Sequence, residues 1–93
     1  MTRNRFDQTG PVACFSVTAI ADQGTLPRIL ELFAKRGLVP AQVNASLVGP
    51  AGDSLRVEIQ MMDMEHVLAE YIGECMRVMF CVEQVFVSER RQF

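Results

Sequence analysis

The apolar residues of this chain follow two periods in a set order, and that order restricts the fold more than any other feature. CFSVTAI (14–20) puts Phe15, Val17 and Ala19 on one side and Ser16 and Thr18 on the other, the period of two expected of a strand with one buried face. Leu26, Ile29, Leu30 and Phe33 then recur at i, i+3, i+4 and i+7, a single helical stripe. Val39, Ala41, Val43, Ala45 and Leu47 alternate with Pro40, Gln42, Asn44 and Ser46, which predicts a second half-buried strand. Turn formers Pro50-Ala51-Gly52-Asp53 follow, and Leu55, Val57, Ile59 and Met61 then alternate with Arg56, Glu58 and Gln60. A second helical stripe of Met64, Val67, Leu68, Tyr71, Ile72 and Cys75 lies between Asp63, a good N-cap residue type, and Arg77. The last apolar segment, MFCVEQVFVSE (79–89), is less regular, and Glu83-Gln84 marks a bulge in it.

The element order is therefore β-α-β-β-α-β. Right-handed crossovers turn that order into an α+β, ferredoxin-like plait: a four-stranded antiparallel sheet with both helices on one face. The opposite face is expected to be polar, presenting Ser16, Thr18, Gln42, Asn44, Arg56, Glu58 and Gln60. Pro40, near the start of the second strand, marks a sheet edge. The folded domain is expected over residues 12–88, with a flexible lead-in at 1–11 that ends in Gly10-Pro11 and a loose tail at 89–93.

Bulk properties narrow the function. A chain of 93 residues has room for one small domain, and a core of that size is marginal alone, which favours oligomerisation. Nine basic and eleven acidic residues, spread along the chain for a net charge of −2, argue against nucleic acid or an anionic membrane as the partner. Cys14, Cys75 and Cys81 are odd in number and sit in apolar segments; they read as small buried hydrophobes in a reducing compartment. No apolar run approaches the ~18 residues of a membrane span, and no hydrophobic stretch follows the start MTRNRFDQTG. A cytoplasmic location is the expectation.

Catalytic constellations are missing from the pattern. The sole histidine, His66, lies off the apolar stripe of the second helix. No serine or thiol has a base near it in sequence. The first loop, ADQGT, has no paired cysteines for a metal, and Arg28 is one turn too late to serve a phosphate loop. The third strand has no aromatics to stack RNA bases, and Phe15 belongs to the helix-facing side. The chain is thus read as neither an enzyme nor a carrier of metal or cofactor.

What remains is the helix start in ADQGTLPRILELFAKRG (21–37). Pro27 lacks an N–H and must lie in the first turn, so the cap falls at Gly24 or Thr25. The N–H groups of Gly24, Thr25 and Leu26 then have no partner inside the helix and meet the positive end of its dipole, a setting that suits a carboxylate. Gly24 lets a ligand approach the backbone closely; ordinary capping explains the same residues equally well. Lys35-Arg36-Gly37 ends the helix.

The pattern D-x-G-x-L-x-R-[IV]-L-x-x-[FV]-x-x-R-G between two strands resembles the ACT domain, an amino-acid-sensing regulatory module. Asp22, Gly24, Leu26, Arg28, Ile29, Leu30, Phe33, Arg36 and Gly37 carry it. TLPRILELFAKRG followed by VNASLV is most similar to the short regulatory small subunits of acetolactate synthase. The resemblance implies a homodimer joined edge to edge into one continuous sheet. It also implies an effector amino acid held between Asp22, Gln23, Gly24, Thr25 and Leu26 of one chain and Val39, Pro40, Ala41 and Gln42 of its partner. The effector would be a branched-chain amino acid and the regulated enzyme an acetolactate synthase catalytic subunit. Departures stand at Gln23, where many such domains have Pro, and at Ala21 and Val39, where sensing members often have Asn. Neither Ala21 nor Val39 can hold an ammonium or a carboxylate by its side chain, though Asp22 can pair with an α-amino group. The alternative is a pairing or stabilising subunit that senses no ligand.

Overall fold

The computed structural model describes residues 11–91. They form β1 (Pro11–Ile20), α1 (Thr25–Ala34), β2 (Gln42–Val48), β3 (Ser54–Met62), α2 (His66–Arg77) and β4 (Val82–Arg91). The strands make one four-stranded sheet in the order β2-β3-β1-β4, with every neighbouring pair antiparallel. This is the ferredoxin-like plait that the element order predicts.

Strand register decides which residues form the core. Phe15 stands opposite Ile59 on β3 and Val87 on β4, and Val17 opposite Val57 and Val85. These residues face the helices and pack with Ile29 and Phe33 of α1 and with Ile72 and Met76 of α2. The Phe15 and Phe33 rings meet edge to face, with centroids 5.4 Å apart at 80°, an arrangement that ring quadrupoles favour. On the other face Ser16 pairs with Glu58 and Thr18 with Arg56, and the Ser16 hydroxyl donates to Glu58 Oε2 at 2.7 Å. This face is less polar than expected: Phe86, opposite Ser16 on β4, is an exposed aromatic on it, and Val12, Cys14, Ile20 and Met62 share it.

The end of α1 is built as its sequence suggests. Gly37 adopts a left-handed φ of +69°, and the Arg36 guanidinium donates to the Leu32 carbonyl at 2.8 Å, satisfying one of the acceptors that a helix end leaves open. That guanidinium also lies 5.2 Å from the centre of the Tyr71 ring, tying the end of α1 to the outer surface of α2.

Three expectations need correction. First, α2 begins at His66 with Glu65 as its cap, not at Asp63. Asp63 takes φ +58° and donates its N–H to the Pro11 carbonyl at 2.9 Å, because β3 stays paired with β1 through Met62 and the chain must turn sharply afterwards. Asp tolerates that conformation better than most residues. The buried side of α2 is also rotated from the expected stripe. Val67 and Tyr71 are exposed, while Ala69, Ile72, Gly73 and Met76 face the sheet. A Cβ on Gly73 would stand 2.6 Å from Val87 Cγ2, so the glycine sets how closely helix and sheet approach.

Second, Val43, Ala45 and Leu47 stand opposite Ile59, Val57 and Leu55 on the helix side of the sheet, but the helix layer stops short of them. Val43 is 39% and Leu47 66% exposed, and Ala45 is exposed as well. Third, the strands outrun the expected domain limits. Pro11 pairs with Arg91 and Ala13 with Glu89, so residues 89–91 continue β4 rather than forming a tail. The expected lead-in, apart from Pro11, and the last two residues lie outside the described residues. The bulge falls where the sequence places it: the β1–β4 register shifts between Thr18, opposite Gln84, and Ala19, opposite Val82. Cys81 is buried and Cys14 and Cys75 are half-buried, all as free thiols.

Candidate functional site

The residues singled out around the first loop and the second strand fall into two groups at opposite ends of the sheet. Ala21 donates its N–H to the Asp53 carbonyl at 3.3 Å, which sets the loop after β1 beside the β2–β3 hairpin. Ala41 donates to the Gln60 carbonyl at 2.8 Å, at the end where β1 begins, since Gln60 stands opposite Cys14. The length of β2 therefore separates Asp22–Leu26 from Val39–Gln42 by roughly 20 Å at about 3.3 Å per residue. A single chain does not bring the two groups together.

In the first group, Gly24 caps α1 with φ −87° and ψ −7°. Arg28 donates the first helical bond back to the Gly24 carbonyl, at 3.3 Å, just after Pro27, which has no hydrogen to donate. The expectation of open N–H groups holds only in part. The Gly24 N–H is bonded to Asp22 Oδ2 at 3.2 Å and the Thr25 N–H to the Asp22 carbonyl at 3.0 Å. Among the expected donors, the Leu26 N–H keeps no hydrogen-bond partner among the described residues. Asp22, by folding back, supplies the negative group that the helix start favours.

Burial separates the roles of these residues. Asp22 and Gln23 are exposed, Gly24 and Leu26 half-buried, and Leu26 packs against the core. Thr25 is 1% exposed, and its hydroxyl oxygen is buried without a hydrogen-bond partner. A Cβ on Gly24 would lie 3.5 Å from Asp22 Oδ2 and 3.8 Å from Arg28 Cζ, both ordinary contacts. Neither backbone conformation nor crowding within the chain requires glycine there. The same geometry adds Arg28 to the site: its guanidinium flanks Gly24 across from the Asp22 carboxylate. Its spacing of four from the cap residue is the sequence signal, since i and i+4 share a helix face.

In the second group Val39 is 84% exposed, Pro40 is half-buried, and Ala41 and Gln42 are exposed. Two cavities of the chain, one between α2 and the sheet and one along β4, include none of these residues. Among the described residues no three His, Cys, Asp or Glu side chains gather to hold a metal ion, and no helix is long and apolar enough to cross a membrane.

A βαββαβ plait with a glycine-capped helix start after its first strand fixes a fold class and not a role, since one plait hosts many functions. Residues 7–92 match the family model of the ACT-like domain, and the chain belongs to that family. Its fold is also similar to the solution structure of the C-terminal domain of the MgtC protein from Mycobacterium tuberculosis. The two share 12% sequence identity at a TM-score of 0.69, over 91% of this chain and 93% of that chain. At that identity the likeness is one of fold. No curated protein matches the sequence.

Proposed function

We propose that this chain is a non-catalytic regulatory module that works as a homodimer joined through β2. It binds a small amino acid across that joint and passes its occupancy to a biosynthetic enzyme. The observation that carries the reading is the difference between the two sheet edges. β4 is guarded: it has a bulge, it carries Glu83, Glu89 and Arg90, and Arg77 Nη2 donates to its Val85 carbonyl at 3.1 Å. β2, with the sequence QVNASLV, has no charged residue and pairs in unbroken register with β3. An uncharged, regular edge is a template for another strand, and exposed Val43 and Leu47 offer apolar surface beside it.

Pairing two β2 strands antiparallel about a twofold axis reunites the divided site. It sets Val39–Gln42 of one chain next to the hairpin end of its partner, where the partner's Asp22–Leu26 lie. There the Asp22 carboxylate receives the α-ammonium, while the open Leu26 N–H and the Arg28 guanidinium receive the α-carboxylate. Val39, Pro40 and Ala41 offer an aliphatic side chain an apolar wall, which fits valine, leucine or isoleucine. The regulated enzyme in this reading is an acetolactate synthase catalytic subunit, the partner that the sequence resemblance names. Regulation follows by linkage: a ligand that favours one dimer geometry shifts whatever equilibrium the enzyme shares with it.

Thermal-shift titration with the three branched-chain amino acids tests the reading. At least one should raise the melting temperature, and Gly24→Leu should remove the rise; no shift with any of them sinks the sensing role. A second reading, a pairing subunit that senses nothing, is favoured by the Asp22 carboxylate already bonding the Gly24 N–H and by the apolar side chains of Ala21 and Val39. It predicts an intact dimer that is indifferent to every amino acid.

A further inference from the structure

A second feature lies at the far end of the sheet from the loop after β1. A cavity of about 190 Å3 opens between α2 and the sheet, floored by Ala13, Met64, Ala69 and Val87 and edged by His66, Glu70, Ser88 and Glu89. Its cause is local: Ala13 and Ala69 are both buried, and each offers only a methyl group where larger side chains fill the rest of the layer. Glu89 stands opposite Ala13 in the β1–β4 ladder and so shares its sheet face with Val85 and Val87, the face turned toward the helices. At this end of the strand Glu89 is exposed, and among the described residues no cation pairs with it, so its carboxylate is open to a ligand. Glu70 reaches only His66, whose Nε2 lies 4.0 Å from its Oε2.

We propose that this cavity binds a small organic cation, an aliphatic primary amine in its ammonium form. Its hydrocarbon part lies on the floor and its ammonium is held by Glu70 and Glu89. Size supports this, since an apolar cavity of ~150 Å3 accommodates a benzene-sized molecule. Charge supports it too, because two carboxylates at the rim repel an anionic ligand. A metal ion fits less well: no group of three ligating side chains forms among the described residues, and the floor is apolar.

NMR titration of the full chain with n-butylammonium and, separately, n-butyrate tests the site, as the two share a hydrocarbon chain and differ in charge. Saturable amide shifts at Ala13, Ala69, Glu70, Val87 and Glu89 are expected with n-butylammonium and none with n-butyrate. Glu70→Gln and Glu89→Gln should each weaken amine binding by up to about fivefold, the worth of one exposed ion pair, and together by about tenfold or more. Ala69→Leu should fill the cavity and abolish binding. If that variant does not fold, the two glutamine variants still decide the matter, because exposed Glu→Gln changes leave the core untouched. Equal shifts from n-butyrate, no saturable shift with the amine, or an affinity unchanged in the double glutamine variant would each overturn the proposal. None of these outcomes bears on the β2 joint, whose residues lie outside the cavity.

Discussion

Asp22 Oδ2 accepts a hydrogen bond from the Gly24 N–H at 3.2 Å, while the Asp22 carbonyl accepts one from the Thr25 N–H at 3.0 Å. One residue thus satisfies two donors at the start of α1 and brings a negative charge to the positive end of the helix. It also occupies space that a ligand carboxylate would otherwise take. In the proposed reading, an amino acid would bind here with its ammonium toward Asp22 and its carboxylate toward Leu26 and Arg28.

Removing that side chain should be measurable in two ways. Asp22→Ala loses the side-chain hydrogen bond to the Gly24 N–H and should cost about 0.5–1 kcal/mol of stability, seen as a lower denaturant midpoint at unchanged slope. The same variant should bind the effector more weakly, because the ammonium loses its partner. Unchanged stability would mean that the Asp22–Gly24 bond contributes nothing.

Gly24 separates folding from binding. Its φ of −87° suits any residue, and an added Cβ meets only ordinary contacts. Gly24→Ala should therefore keep or raise stability, by up to about 1 kcal/mol, because alanine has less freedom to lose on folding. Gly24→Leu should fold too and yet lose amino-acid binding. Calorimetric melting of both variants beside ligand titration checks this; a folding defect in Gly24→Ala would refute the assignment.

Gly73 is the opposite case. Its added Cβ would stand 2.6 Å from Val87 Cγ2, so Gly73→Ala forces α2 away from the sheet and should cost about 1–3 kcal/mol. Val87→Ala made alongside it should restore part of the loss, since the clashing methyl is removed. A double-mutant cycle measures that coupling, and simple additivity would contradict the close approach.

The β2 surface gives the prediction that differs most from the sequence expectation. A core-facing Val43 implies that a charge there unfolds the chain, whereas the exposure of Val43 and Leu47 implies that the chain stays folded and, in the proposed reading, that the β2 joint is split. Val43→Glu and Leu47→Glu should each yield a folded monomer by sedimentation, with the circular dichroism of the parent chain.

Much of the fold was legible because it rests on periodicity. The alternation through Phe15, Val17, Val57 and Ile59 and the stripe through Ile29 and Phe33 define the layers, and Pro27 narrows the α1 cap to Gly24 or Thr25, of which the structure has Gly24. The rotation of α2 was not legible. Ala69 and Gly73 are buried because they are small enough for close approach, not because they are apolar enough to mark a stripe, while Val67 and Tyr71 look like core and stand outside. β2 misled for a related reason: alternation reports which face a side chain takes, not whether a helix covers that face at a sheet edge. At the candidate site the helix start was readable from Pro27 and Gly24. The fold-back of Asp22 depends on loop geometry that no residue pattern specifies, and Arg28 becomes part of the site only once its guanidinium is seen beside Gly24.

The central claim, an amino-acid site assembled across the β2 joint, is tested most directly by calorimetric titration of valine, leucine and isoleucine into the native chain and into Leu47→Glu. The account predicts saturable binding of at least one of them to the native chain and its loss in the folded Leu47→Glu monomer. Binding that persists undiminished in that variant, or no binding of any of the three to the native chain, would contradict it.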